Sequence, residues 1–115
     1  MVGNYCKVYL DTHVPKSDVI RLIRSILTGE SESRATIHTS SCVIDIEEND
    51  EFDEVMRAGA NDGFLYYRYF LDIEPVEGVG RERYLQVLSG LLRGLRDKGC
   101  KAIPACDFED ELPKA

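Results

Sequence analysis

Few residues in this chain have types and spacing suited to chemistry. His13 follows a β-rich segment near the N-terminus, and His38 stands beside Thr39, Ser40 and Ser41. A histidine near hydroxyls activates a nucleophile only when a third group orients it and donors await the oxyanion. No such partners are legible, so both histidines read as surface residues. Asp72 and Glu74 are two positions apart, which on a strand puts both carboxylates on one face, as paired acid–base work would need. Beside Pro75 they read more simply as solvated. Gly78-Val79-Gly80 precedes a helical pattern, where free amides can attract an anion. It lacks the further glycine of a dinucleotide turn and the Gly-Lys-Ser/Thr of a phosphate loop. Asp50, Glu51, Asp53 and Glu54 offer oxygen ligands without the alternate spacing and central glycine of a calcium loop.

The four cysteines, Cys6, Cys42, Cys100 and Cys106, include no C-x-x-C pair. Two disulfides are open in several pairings. In a reducing compartment, separated cysteines in apolar strand-like contexts read as core residues. The inventory gives no catalytic residue, no metal site and no cofactor.

The elements that must position these residues follow from periodicity. Tyr5 to Leu10 alternates as a first strand, and Val19, Leu22, Ile23, Ile26 and Leu27 recur at helical spacing over 16–28, with Gly29 as a stop. Residues 30–41 are polar and read as a loop, or as a lead-in pairing at an edge through Ala35 to Thr39. Cys42 to Glu47 is a second strand. A long acidic connection covers 49–63, and Phe64 to Glu74 is the longest strand signal, with Leu65, Tyr67, Tyr69, Leu71 and Ile73 on one side. Tyr84, Leu85, Leu88, Leu91, Leu92 and Leu95 make a second helix over 81–98 that Gly99 caps. Lys101 to Phe108 is a last strand, which Pro104 confines to an edge or a bulge. The order β-α-β-β-α-β, with right-handed crossovers, predicts a single α+β domain over 1–115. Its expected form is a ferredoxin-like sandwich, a four-stranded antiparallel sheet with two helices on one face.

Two helices cover one face only. The other is expected to carry Tyr5, Lys7, Tyr9, Val43, Asp45 and Glu47, and from the third strand Phe64, Tyr66, Arg68, Phe70, Asp72 and Glu74. Aromatics with an arginine suit a binding surface, and Tyr9, Tyr66, Arg68 and Phe70 are the expected patch. Loops folding across it, a second copy packing sheet on sheet, and a foreign partner are all open. Base stacking is disfavoured by the neighbouring acids.

Charge sharpens this picture. The chain has 21 acidic and 14 basic side chains, a net charge of -7. The two helical stretches hold eight basic and three acidic residues, or +5, so the remainder carries -12. Two acidic runs dominate it: Glu47, Glu48, Asp50, Glu51, Asp53 and Glu54, then Asp107, Glu109, Asp110 and Glu111. Each reads as a solvated loop or as a surface for a basic partner, with Phe52 and Phe108 as apolar anchors unless they tuck into the core. Such a balance disfavours nucleic acid. No apolar run reaches the ~20 residues of a membrane span, and the start lacks a secretory pattern, so a cytoplasmic protein is expected.

Two stretches, Gly63-Phe64-Leu65-Tyr66-Tyr67-Arg68-Tyr69-Phe70-Leu71-Asp72-Ile73-Glu74 and Ala105-Cys106-Asp107-Phe108-Glu109-Asp110-Glu111-Leu112-Pro113, resemble small acidic bacterial proteins of the kind that look like immunity partners of polymorphic toxins. The resemblance lies mainly in the C-terminal half and implies a non-enzymatic inhibitor of a basic protein; it carries no catalytic residues. The expected function is therefore binding of a basic protein partner through the acidic loops and the aromatic sheet face. The alternative is a dimeric ferredoxin-like ligand-binding protein or enzyme, with a pocket lined by Tyr9, Tyr66, Arg68 and Phe70.

Overall fold

Strands form where alternation lets one side chain in two leave water, and helices where apolar residues recur every three or four positions. The computed structural model describes residues 4–27, 31–33, 35–59 and 62–114. Its elements are β1 (Cys6–Asp11), α1 (Lys16–Leu27), β2 (Ser31–Ser33), β3 (Thr36–His38), β4 (Cys42–Glu48), β5 (Tyr69–Pro75), α2 (Arg81–Asp97) and β6 (Lys101–Ala105). Single 3-10 turns lie at Met56–Ala58, Gly63–Tyr66 and Glu109–Glu111. The expected stop at Gly29 lies outside the described residues.

Among the described residues the architecture is α+β, with two helices and an antiparallel sheet of six strands rather than the expected four, in the order β2-β3-β4-β5-β1-β6. The additional pair is the hairpin β2–β3. It extends the sheet edge through Ile37, which lies opposite Ile44 and is fully buried. β6 lies at the other edge, where Pro104, opposite Val8, has no outer strand to leave without a donor. Among the described residues no helix is long and apolar enough to cross a membrane.

The core sits between the sheet and the helices. Cys6, Val8 and Leu10, Cys42, Ile44 and Ile46, and Tyr69, Leu71 and Ile73 point into it from the three central strands. Val19 and Ile23 of α1, with Tyr84, Leu88, Leu91, Leu92 and Leu95 of α2, meet them. Gly99 ends α2 at φ 86°, a conformation that side chains rarely adopt. The Gly99 N–H donates to the Arg96 carbonyl and the Cys100 N–H to Leu95, closing the two bonds of a Schellman cap. The Arg96 guanidinium then donates to the carbonyls of Ala102 and Pro113, tying β6 and the C-terminal segment to α2.

The long acidic connection and the start of the expected third strand are where the structure differs most. β5 begins at Tyr69, and residues 63–66 form a 3-10 turn. Gly63 allows this, because a Cβ there would stand 2.8 Å from the Arg57 carbonyl oxygen. Asn49 holds the segment: its side-chain amide donates to the carbonyls of Leu65 (3.0 Å) and Tyr67 (2.7 Å), and its backbone N–H to Arg68. Tyr67 turns inward as expected, whereas Leu65 is 38% exposed.

Burial raises the hydroxyls of Tyr5, Tyr67, Tyr69 and Tyr84 above the ordinary tyrosine range. The fold thus favours their protonated form. That contribution is whole below about pH 10 and is lost as pH rises through the folded values. An alkaline titration followed by tyrosinate absorbance and circular dichroism should show most tyrosine ionisation arriving with unfolding. Ionisation of all six tyrosines near pH 10 with unchanged secondary structure would contradict this packing.

Candidate binding face

The residues that alternate with the core on each strand define the open face. β1 presents Lys7 and Tyr9, β4 presents Val43, Asp45 and Glu47, β5 presents Phe70, Asp72 and Glu74, and β6 presents Ile103. Register fixes their neighbours. Tyr9 lies between Phe70 and Ile103, Lys7 opposite Asp72, Asp45 opposite Asp72, and Glu47 opposite Phe70.

An aromatic cluster occupies the middle of this face. The 63–66 turn lays Phe64 edge-on against Tyr9, with ring centroids 5.3 Å apart, and Phe70 stands 6.5 Å from Tyr9. The Lys7 ammonium lies 4.1 Å from the Phe70 centroid and 5.2 Å from that of Tyr9, a cation over two ring faces. One loop thus contributes a single aromatic to the face and leaves the cluster half-exposed.

Beside it runs a band of carboxylates: Asp45, Glu47, Asp72 and Glu74. Asp45 and Asp72 are directly opposed, an arrangement that costs stability between like charges. Hydroxyls offset part of that cost. Tyr5 donates to Asp72, and Thr36 Oγ1 donates to Asp45 Oδ1 at 2.6 Å. Burial first, and then the bond to Asp72, explains the raised Tyr5 hydroxyl.

Tyr66 and Arg68, expected on this face, stand outside the strand. Tyr66 belongs to the 3-10 turn, and its carbonyl accepts the Asp53 N–H at 3.3 Å. Arg68 precedes β5; its guanidinium reaches the His13 carbonyl and lies 5.4 Å from the Tyr69 ring centroid. The alternation of aromatics from 64 onward mimics a strand, but tertiary hydrogen bonds to Asn49 decide the backbone there. The proposed pocket of Tyr9, Tyr66, Arg68 and Phe70 is therefore not assembled on one strand face.

The two acidic runs lie at opposite ends of the sheet. β4 runs parallel to β1 and β6 runs against it, so their C-terminal ends point opposite ways and lie roughly 10 Å apart along the strand direction, at about 3.3 Å per residue. In the first run, Glu47 lies on the open face and Glu48, Asp50, Glu51 and Glu54 are exposed. Asp53 is used internally: its Oδ1 accepts the N–H groups of Val55 and Met56, both at 2.9 Å. In the second, Asp107, Glu109 and Asp110 are exposed, while Glu111 makes a two-pronged pair with Arg81 at 2.9 and 2.5 Å. Phe108 is buried against Tyr84, whereas Phe52 stays 37% exposed with the Arg57 guanidinium 5.5 Å from its ring centroid.

A second feature was not legible in sequence. At the Glu48 end of the sheet a cleft of about 350 Å³ is lined by Asp11, Thr12, His13, Glu54, Arg57 and Lys101. In it Arg57 Nη1 lies 3.2 Å from Asp11 Oδ1, and the two side chains are only 16% and 13% exposed. The Arg68 N–H also donates to Asp11. With its carboxylate paired to a guanidinium and a backbone N–H, Asp11 serves as an anchor for the loop. No sequence pattern links residues 46 positions apart. His38 stands exposed at the end of β3, and among the described residues no three His, Cys, Asp or Glu side chains converge as a metal site.

Replacing Arg57 by Ala leaves Asp11 unpaired where little water reaches it, and should cost ~3 kcal/mol in denaturant unfolding. Asp11→Asn/Arg57→Ala together should cost less than the two single changes summed. Losses below about 0.5 kcal/mol for Arg57→Ala, the range of exposed pairs, would show that the pair holds nothing. Compared with protein-family models, with curated proteins and with solved structures, the chain shows no significant match to any of them.

Proposed function

We propose that this chain is a non-enzymatic binding protein that receives a basic protein partner on the open face of its sheet. The observation that carries the reading is the band of Asp45, Glu47, Asp72 and Glu74 set beside the cluster of Tyr9, Phe64 and Phe70. Aromatic anchors beside a band of carboxylates, with Lys7 as a cation among the rings, suit a specific interface in which apolar contact supplies affinity and charge supplies orientation and on-rate. Glu48, Asp50 and Glu51 extend the same sign past the end of β4, so an approaching cationic surface meets one continuous field. The C-terminal acids Asp107, Glu109 and Asp110 border the opposite end. An immunity-type inhibitor acting in the cytoplasm, covering a basic toxin, is the most concrete form of this proposal. A ferredoxin-like sandwich is the finer fold we propose, supported by the order β4-β5-β1-β6 of the four longer strands, with β2–β3 as an added edge.

Face-to-face self-association is less well supported. It would set carboxylates from two copies against one another, and Tyr66 and Arg68 do not join the strand face that a shared pocket would use.

Lysate of the native cell, passed over the immobilised chain at low salt, tests the proposal. The wild type should retain a basic protein that Glu74→Lys and Glu47→Lys release, whereas Glu82→Lys, the same charge change on the outer side of α2, should keep it. Tyr9→Ala should weaken the isolated complex by ~2 kcal/mol, about 30-fold. Equal loss with Glu82→Lys would reduce the effect to net charge and overturn the assigned face. Retention of no basic protein, with turnover of a small substrate by the chain, would overturn the binding role itself.

A further inference from the structure

The pairing of β1 with β6 ends at Lys7 opposite Ala105, so the next position outward sets Cys6 opposite Cys106. Cys6 points into the core from β1, and Cys106 lies two positions beyond Pro104, which faces the same side. Opposed residues of an antiparallel pair have Cα atoms about 4.5–5.5 Å apart, inside the span of about 4.4–6.8 Å that a disulfide bridges. The two thiols are close enough for each to bear on the other's titration, and burial raises both; the Cys6 S–H donates to the Lys7 carbonyl at 3.9 Å. Both sulfurs are free. Their exposure differs, since Cys6 is fully buried and Cys106 is half-buried and reachable from solvent. Cys42 and Cys100 face threonine hydroxyls instead, those of Thr39 and Thr12.

We propose that Cys6 and Cys106 form a two-thiol modification site that a peroxide closes into a cross-strand disulfide. Cys106 attacks first, being the more accessible of the two sulfurs. Its thiolate displaces hydroxide from hydrogen peroxide and becomes a sulfenic acid, oxidised by two electrons. The Cys6 sulfur then attacks that sulfenic sulfur; the S–S bond forms, the S–O bond breaks, and water leaves with the Cys6 proton. The pair has lost two hydrogens and the peroxide has become two waters. The bond pins the C-terminal segment to β1 in addition to the contacts that already hold it, namely Phe108 on Tyr84, Leu112 in the core and Glu111 on Arg81.

The test treats the folded chain with hydrogen peroxide, unfolds it in excess alkylating agent, and maps the product by mass. The expected product carries alkyl groups on Cys42 and Cys100 only, yields a linked peptide joining Cys6 and Cys106, and recovers all four alkylation sites after dithiothreitol. Cys106→Ser should abolish the link, and Cys6→Ser should leave Cys106 to advance to the sulfinic acid. Four alkylated cysteines after peroxide, a bridge between any other pair, or a wild-type Cys106 oxidised to sulfinic acid without a bridge would each overturn the proposal. Because the decisive measurement is made on the wild type, a variant that fails to fold does not shield it.

Discussion

The carboxylate of Asp11 is the point on which this structure turns. It ends β1 inside the protein, receives the Arg57 guanidinium and the Arg68 N–H, and so fixes both ends of a segment that has no apolar periodicity of its own. A charge left unpaired at that depth is expensive, so the loop must supply its partner. Once Arg57 is placed, its carbonyl presses on Gly63, the 63–66 turn follows, and Phe64 arrives on Tyr9. The aromatic centre of the open face thus depends on an ion pair at the sheet's end. Asn49 completes the arrangement by satisfying carbonyls that a strand would otherwise have paired.

Charge is partitioned by layer. The helical stretches carry +5, while the remainder of the chain carries -12. Folding for stability alone would not set Asp45 opposite Asp72 on a half-exposed sheet, since like charges facing across strands weaken the pairing. Hydrogen bonds from the Tyr5 and Thr36 hydroxyls temper this repulsion. Local rules broken without an evident structural gain tend to mark places where function sets the sequence. On the proposed function, the band would repel a second copy on the same face and attract a cationic partner.

Legibility in the sequence follows the physics of each region. The central strands and both helices could be read because a single core decides their alternation, down to the edge position of Pro104 and the left-handed Gly99. The β2–β3 hairpin was legible in part: an edge pairing through Ala35 to Thr39 was one of two readings, and β3 (Thr36–His38) makes it, whereas Ser31-Glu32-Ser33 has no apolar residue to mark β2. Residues 64–68 misled, because their aromatics keep a period of two while their backbone answers to Asn49 and Gly63. The same division applies to the candidate face. Tyr9 and Phe70 were visible from strand parity, whereas Tyr66 and Arg68 were placed there by extending that parity past the true start of β5. Asp11 and Arg57, 46 positions apart, left no local signal.

The central claim is that the open face, and not acidity in general, receives cationic protein surface. Amide-resolved NMR of the labelled chain, titrated at low salt with a lysine- and arginine-rich peptide bearing one aromatic residue, tests it most directly. The account predicts shifts concentrated on residues 43–48, on 70–74 and at Tyr9, diminishing as salt is added. Shifts confined to residues 107–111, or spread evenly over every exposed acid including those of the helices, would contradict it.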